Sequence, residues 1–282
     1  MITNIFSQIL HQKRKAVAQL RADPSSRDFP ARALEVRNTA EPHRLLRALE
    51  LDPRRLNIVA EFKRRSPSAG IIRDDLTVME IVRCYERGGA CAVSVLTDKK
   101  YFGGSIADLC AARSTTDLPL LRKDFILDPI QIFEAAAAGA DAVLLIVAAL
   151  DDVSLGELRA VAEDELGLDA LVEAHTSGEL SRALAAGAKL IGVNNRDLST
   201  FQVSLNTSER LIAEAPPNKI LISESGLQSA DSLLRLSKIG FRGFLIGEAL
   251  MRAPDPEKAL HDLVAAPEDR ESTTVSTGAG QR

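Results

Sequence analysis

From Asn57 onward the chain alternates eight short runs rich in Val, Ile, Leu and Ala with longer amphipathic stretches, and no other feature constrains its fold so strongly. The runs at 58–63, 92–96, 118–123, 142–146, 170–173, 190–194, 220–224 and 243–246 have the composition of strands buried on both faces. Between them, 78–87, 130–138, 177–186 and 229–239 carry helical patterns. Strand and helix in strict alternation feed a parallel sheet, and eight such units close a barrel. A Gly ends the helix before every even-numbered strand: Gly89, Gly139, Gly187 and Gly240, at intervals of 50, 48 and 53 residues that each span two units. A left-handed residue at a helix end is cheap only for Gly.

The expected architecture is therefore α/β, a single (β/α)8 barrel over 51–266, with an extra helical segment at 1–50 and a disordered tail at 267–282. A barrel of about 250 residues uses nearly all of a 282-residue chain. The N-terminal segment carries Ile5, Ile9, Val17 and Leu20 at helical spacing, then a connection punctuated by Pro24, Pro30 and Pro42. The tail lacks apolar content and has the composition of a disordered end.

Composition narrows the function classes. A net charge of −4 supplies no summed positive field for nucleic acid or an anionic membrane, so neither partner is expected. The longest apolar run, 142–150, is too short to span a bilayer, and the N-terminal charges follow the apolar residues, the reverse of a signal peptide. A cytoplasmic protein is expected. Cys84, Cys91 and Cys110 lack metal-ligand spacing and read as core residues of a reducing compartment, with no metal site.

Charges mark the functional end. Strands buried on both faces should not finish in ionisable residues, yet the odd strands finish in Glu61 and Lys63, Lys123, Glu173 and Glu224. By parity Lys123 shares a face with Leu121, Glu173 with Leu171, and Glu224 with Ile222. If those apolar partners fill the lumen, the charged residues form one ring at its C-terminal mouth, where barrel enzymes keep their chemistry. Ammonium and carboxylate groups brought together there supply acids and bases near neutral pH. After strands seven and eight, Ser225, Gly226, Gly247 and Glu248 form the pair of loops on which barrels commonly bind phosphate, the Glu248 carboxylate turning to solvent. Asn194 is expected to bond a substrate hydroxyl, and Arg196 to hold a carboxylate or to orient a catalytic Glu. His175 is expected outside the lumen rather than as a base.

In order, these motifs resemble the indole-3-glycerol-phosphate synthase family. The resemblance rests on the string Glu61-Phe62-Lys63-Arg64-Arg65-Ser66-Pro67-Ser68, on Tyr101-Phe102-Gly103-Gly104-Ser105 and on Leu121-Arg122-Lys123-Asp124-Phe125. It continues through Leu171-Val172-Glu173-Ala174-His175, Asn194-Asn195-Arg196-Asp197-Leu198, Ser223-Glu224-Ser225-Gly226 and Ile246-Gly247-Glu248-Ala249-Leu250. It implies closure of an indole ring from 1-(2-carboxyphenylamino)-1-deoxyribulose 5-phosphate with loss of carbon dioxide and water, without metal or organic cofactor. It further implies Lys123 as general acid toward the ketone oxygen, Glu173 as base for dehydration and Lys63 beside the substrate carboxylate. Glu61 and Glu224 would orient the lysines, Ser66 would position the substrate, and Phe102 and Phe125 would contact the anthranilate ring. Asn194, Arg196 and Leu198 would complete the wall. A monomer or weak homodimer acting on a small phosphorylated substrate is expected, and residues 1–50 would form a partial lid.

Three alternatives share parts of this pattern. A phosphoribosylanthranilate isomerase-like barrel would need a Cys base where this chain has Lys63, a Schiff-base aldolase would use Lys123, and a non-catalytic phosphate-ligand-binding barrel would keep the fold without turnover.

Overall fold

Each apolar run becomes a strand because both of its faces are covered, one by the lumen filling and one by a helix. The computed structural model describes residues 5–51, 55–198 and 200–265, so the tail expected at 267–282 lies outside the described residues. Eight parallel strands, β1 (Ile58–Phe62), β2 (Ala92–Leu96), β3 (Leu120–Lys123), β4 (Ala142–Ile146), β5 (Asp169–Ala174), β6 (Leu190–Asn194), β7 (Ile220–Glu224) and β8 (Gly243–Ile246), pair in chain order, and β8 closes onto β1. Three helices precede the barrel: α1 (Ile5–Ala22), α2 (Phe29–Thr39) and α3 (Arg44–Glu50). The others follow the strands: α4 (Val78–Arg87), α5 (Lys99–Phe102), α6 (Ile106–Arg113), α7 (Pro129–Ala137), α8 (Asp152–Ala160), α9 (Ser177–Ala185), α10 (Asn206–Glu214), α11 (Ala230–Lys238), α12 (Glu248–Arg252) and α13 (Pro256–Val264).

Local chemistry sets the element ends. Thr77 and Glu80 form a reciprocal capping box at α4, and Asp128 caps α7 with Pro129 at its first position. Gly89, Gly139, Gly187 and Gly240 all take positive φ, from 85° to 119°, as their places before the even strands require. β3 starts two residues later than its apolar run, because Pro119 has no N–H for the ladder. A two-stranded hairpin, Arg65–Ser66 with Gly70–Ile71, follows β1 and was not anticipated.

The lumen parity holds. Val59, Leu121, Leu171 and Ile222 join Ala92, Ala142, Leu144, Ile146, Leu190 and Leu245 in one cluster inside the barrel, while Phe62 and the alternate strand residues pack with the helices in a second. The N-terminal segment is not one lid. α1 lies at the C-terminal mouth, α2 packs along α7, and α3 plugs the opposite end by inserting Leu45 and Leu49 into the lumen cluster. Of the three cysteines read as core, only Cys91 is fully buried; Cys84 is half-buried and Cys110 is exposed, since it lies on the outer side of α6. Among the described residues no helix is long and apolar enough to cross a membrane.

Candidate active site

Three carboxylates and two ammonium groups meet where the lumen opens. Glu61, Glu173 and Glu224 are buried, at 4%, 2% and 1% exposure, and Lys123 is buried between the last two. The Lys123 Nζ lies against Glu224 Oε2 in a short contact and 3.7 Å from Glu173 Oε2, and Lys63 Nζ sits 2.7 Å from Glu61 Oε1. Strand register explains the convergence, because Glu173 pairs with Gly192, and Asn194 with Glu224. A Cβ at Gly192 would run into the Glu224 carboxylate, so glycine there makes room for the charged ring.

The proton balance of the cluster follows from its composition. Two positive charges face three negative ones, so an extra proton is welcome. Burial works against the Lys123 ammonium, but Glu224, Glu173 and Glu61 outweigh it and hold the group protonated above its ordinary range. Burial pushes Glu224 up to about 7; Glu173 and Glu61 reinforce the rise and Lys123 opposes it. Burial also opposes the charged form of Glu61, but Lys63, Lys123 and Arg196 overcome it and keep that carboxyl below its usual range. The arrangement offers one persistent ammonium donor beside a carboxyl poised near neutrality.

Above this ring opens a cavity of about 750 Å³, lined by every residue expected at the site: Glu61, Lys63, Lys123, Glu173, Asn194 and Glu224, with Ser66, Phe102, Phe125, Arg196 and Leu198, and with Ser225, Gly226, Gly247 and Glu248. Its apolar wall includes Leu96, Leu144 and Ile146 from the strands, and Ile5, Phe6 and Ile9 from α1. Phe125 stands 6.2 Å from the Phe102 ring and 6.3 Å from Phe6, tilted in both pairs. Sequence reasoning missed Leu144 and Ile146, because β4 ends without a polar residue to draw attention.

It also missed how α1 is fastened. Lys13, on α1, is 8% exposed and reaches Asp98 at 2.9 Å and Asp124 at 2.6 Å, just beyond the ends of β2 and β3. Asp124 further accepts from Thr97 Oγ1 at 2.7 Å, and Arg122 donates to Thr97 at 3.1 Å. Burial disfavours the Lys13 ammonium, yet Asp124 and Asp98 more than compensate and raise its proton affinity. The pattern Asp98 and Asp124, each a residue or two past a strand end, was the available signal.

The loops after β7 and β8 have the expected residues but partly different reasons for them. Ser225 and Gly226 adopt consecutive positive φ, 68° and 77°. A Cβ at Gly226 would strike Val203, and one at Gly247 would strike Glu61, so both glycines are required by neighbouring side chains as well as leaving room for a ligand. Asn195, missed because parity places it behind the lumen, fastens this corner by donating to Ser223 Oγ and Glu224 O, each at 3.0 Å, and to Ser225 O at 3.1 Å. The Glu248 carboxylate turns to the surface and pairs with Arg252 at 3.0 Å. Among the described residues Arg196 makes no bidentate contact with a Glu; its guanidinium donates to the Phe201 carbonyl at 3.2 Å, which the turn after β6 brings within reach, and it faces the cavity.

A closed (β/α)8 barrel with a persistent ammonium donor and a near-neutral carboxyl beneath an apolar-walled cavity defines an acid–base barrel enzyme. The family model described as indole-3-glycerol phosphate synthase matches residues 6–263. Relatives bearing that name include one from Syntrophobacter fumaroxidans, 46% identical over 94% of this chain and 99% of its own length, and one from Aromatoleum aromaticum, 44% identical over 93% and 99%. The chain belongs to the indole-3-glycerol phosphate synthase family. Among solved structures, a 3-hexulose-6-phosphate synthase from Salmonella typhimurium superposes with a TM-score of 0.59 at 14% identity, covering 74% of this chain and 97% of that one. A thiamine phosphate pyrophosphorylase from Pyrococcus furiosus gives 0.55 at 19%, covering 74% and 93%. Both share the fold alone.

Proposed function

We propose that the ring of charges at the mouth carries out the family's reaction, the conversion of 1-(2-carboxyphenylamino)-1-deoxyribulose 5-phosphate to indole-3-glycerol phosphate in tryptophan biosynthesis, with each step given to a named side chain. The placement of Lys123 carries this reading: a buried ammonium, held charged by Glu224 and Glu173, at the floor of the cavity. As the aromatic carbon bearing the carboxylate attacks the ketone carbon, a carbon–carbon bond forms and the carbonyl electrons move to oxygen, which takes a proton from Lys123. Loss of carbon dioxide returns its bonding pair to the ring. Water then leaves from the hydroxylated carbon, and Glu173 removes the proton that completes the indole.

Lys63, beside Glu61, meets the substrate carboxylate, with Arg196 as a second cation on the same wall. Glu61 and Glu224 orient the two lysines, Asn194 bonds a substrate hydroxyl, Ser66 positions the substrate, and Leu198, Phe102 and Phe125 contact the aromatic ring. The phosphate lies against the loops of Ser225, Gly226, Gly247 and Glu248, at the end of the barrel where anions are commonly held. On this reading the barrel at 51–266 carries the chemistry and α1 closes the apolar side of the cavity. All these groups come from one chain, which supports a monomer or weak homodimer as the working unit, and the biosynthetic reaction supports a cytoplasmic location.

The test is direct. Purified protein incubated with the carboxyphenylamino-deoxyribulose phosphate should develop indole fluorescence with release of carbon dioxide. Binding of the substrate without turnover would overturn the reading.

A further inference from the structure

His175 lies one residue past β5, on the parity of Glu173 but outside the residues that line the cavity. Its side chain is nine-tenths buried. The ring is gripped from one side by Glu179 of α9, whose Oε2 accepts from the His175 backbone N–H at 2.8 Å and lies 3.1 Å from Nδ1. A carboxylate oxygen only accepts, so Nδ1 carries a hydrogen. On the other side Nε2 has no hydrogen-bond partner among the described residues and lies 3.4 Å from Glu173 Oε1, a charge contact rather than a hydrogen bond. That oxygen is again an acceptor when Glu173 is ionised. An imidazole protonated on both nitrogens is the form that pairs favourably with both flanking carboxylates.

We infer that His175 is a positioning residue for Glu173: its imidazolium, aligned by Glu179, ties down Glu173 Oε1 and leaves Oε2, the oxygen on the Lys123 side, to face the substrate. The inference rests on the reading of Glu173 as the base of the dehydration step. Other charged groups bear on the same spot: Lys123, 3.7 Å from Glu173 Oε2; Glu224, across the ring; and Arg210 of α10, whose guanidinium reaches the His175 carbonyl at 3.5 Å. Burial alone would strip the imidazole of its proton, but Glu179, Glu173 and Glu224 reverse that and raise its proton affinity. The required protonation state is thus the one that its surroundings favour. His175 need not touch the substrate to act in this way.

The experiment compares His175→Phe, His175→Gln and Glu173→Gln in the full chain, with thermal unfolding recorded for each. His175→Phe removes the donor and should lower kcat roughly tenfold or more while KM changes far less, since a loosely held base costs rate rather than binding. His175→Gln keeps a neutral donor near the Nε2 position and should recover most of that loss. Only the imidazole can lose its donor, so the ratio of wild-type to Gln-variant kcat should fall as pH rises through the imidazole's titration. Normal kcat in a folded His175→Phe enzyme, or a ratio independent of pH, would overturn the inference. Should the Phe variant not fold, the Gln variant's pH ratio decides alone. Near-normal turnover in Glu173→Gln would instead overturn the assignment of the base, a separate outcome from failure of His175 to matter.

Discussion

The two ends of the lumen are built from the same kinds of residue and treat them oppositely. At the closed end, buried Asp141 is surrounded by Arg37 at 3.5 Å, Arg44 and Arg113 at 3.1 Å and the Leu120 N–H at 3.0 Å. Asp169 meets His43 at 3.1 Å and the Leu46 N–H at 3.0 Å, and Leu45 and Leu49 fill the space between. At the open end three carboxylates share two lysines, Glu224 Oε1 has no hydrogen-bond partner among the described residues, and a cavity stands where the plug would be. Cations and donors surround the carboxylates below, whereas those above keep spare acceptor capacity and a proton that can move. A buried charge with all its partners holds structure; one left short of partners is available for chemistry.

The largest expected effect tests the open end. Lys123→Met keeps length and packing but removes the proton donor toward the ketone oxygen, so kcat should fall at least roughly a hundredfold. Steady-state kinetics beside thermal unfolding would show activity lost and the fold kept. Near-normal turnover, or a loss wholly explained by unfolding, would break the comparison at its upper end.

A change at the closed end should do the reverse. Leu49 is fully buried against Gly243, where a Cβ would approach its Cδ2 to 2.7 Å. Leu49→Ala leaves a cavity in the plug and should cost about 2–5 kcal/mol of stability in denaturant titration. Turnover per folded molecule should not change. A clear drop in kcat for the folded variant would mean that the plug and the mouth are coupled through the barrel.

These two ends were not equally legible in the sequence. The ring at the mouth could be read because it breaks a rule: Lys123, Glu173 and Glu224 end otherwise apolar runs, and period-two parity assigns their faces. The strands themselves were placed nearly to the residue for the same reason. The plug was hidden, because Leu45 and Leu49 sit in a short segment whose destination is decided by tertiary packing rather than local pattern. Lys13 looked like one more basic residue on an amphipathic helix, since its partners Asp98 and Asp124 lie 85 and 111 positions away. His175 reads in the sequence as a residue outside the lumen, and a one-dimensional reading could not show that its Nε2 comes within 3.4 Å of Glu173.

The smallest effect is the most discriminating, because it reads the spare proton of the open end directly. Burial, aided by Glu173 and Glu61, raises Glu224 from 4.5 to about 7 against the pull of Lys123. Between those values the folded protein holds a proton that the unfolded chain has already released. The unfolded state then binds fewer protons than the native one, so stability falls as pH rises through this window, and the cost is fully present above about 7. Glu224→Gln removes the titrating group. Relative to wild type, the variant should therefore gain stability as pH is raised from about 5 to about 7.5, with little further change beyond, even though its activity is impaired by the loss of the partner that orients Lys123. Leu49→Ala provides the control, since removing methyl groups from the plug lowers stability by the same amount at every pH. Urea titrations of the three proteins across that range would decide it. Parallel stability curves for wild type and Glu224→Gln would mean that the partners of Glu224 fully offset its burial, and the contrast between the two ends of the lumen would fail.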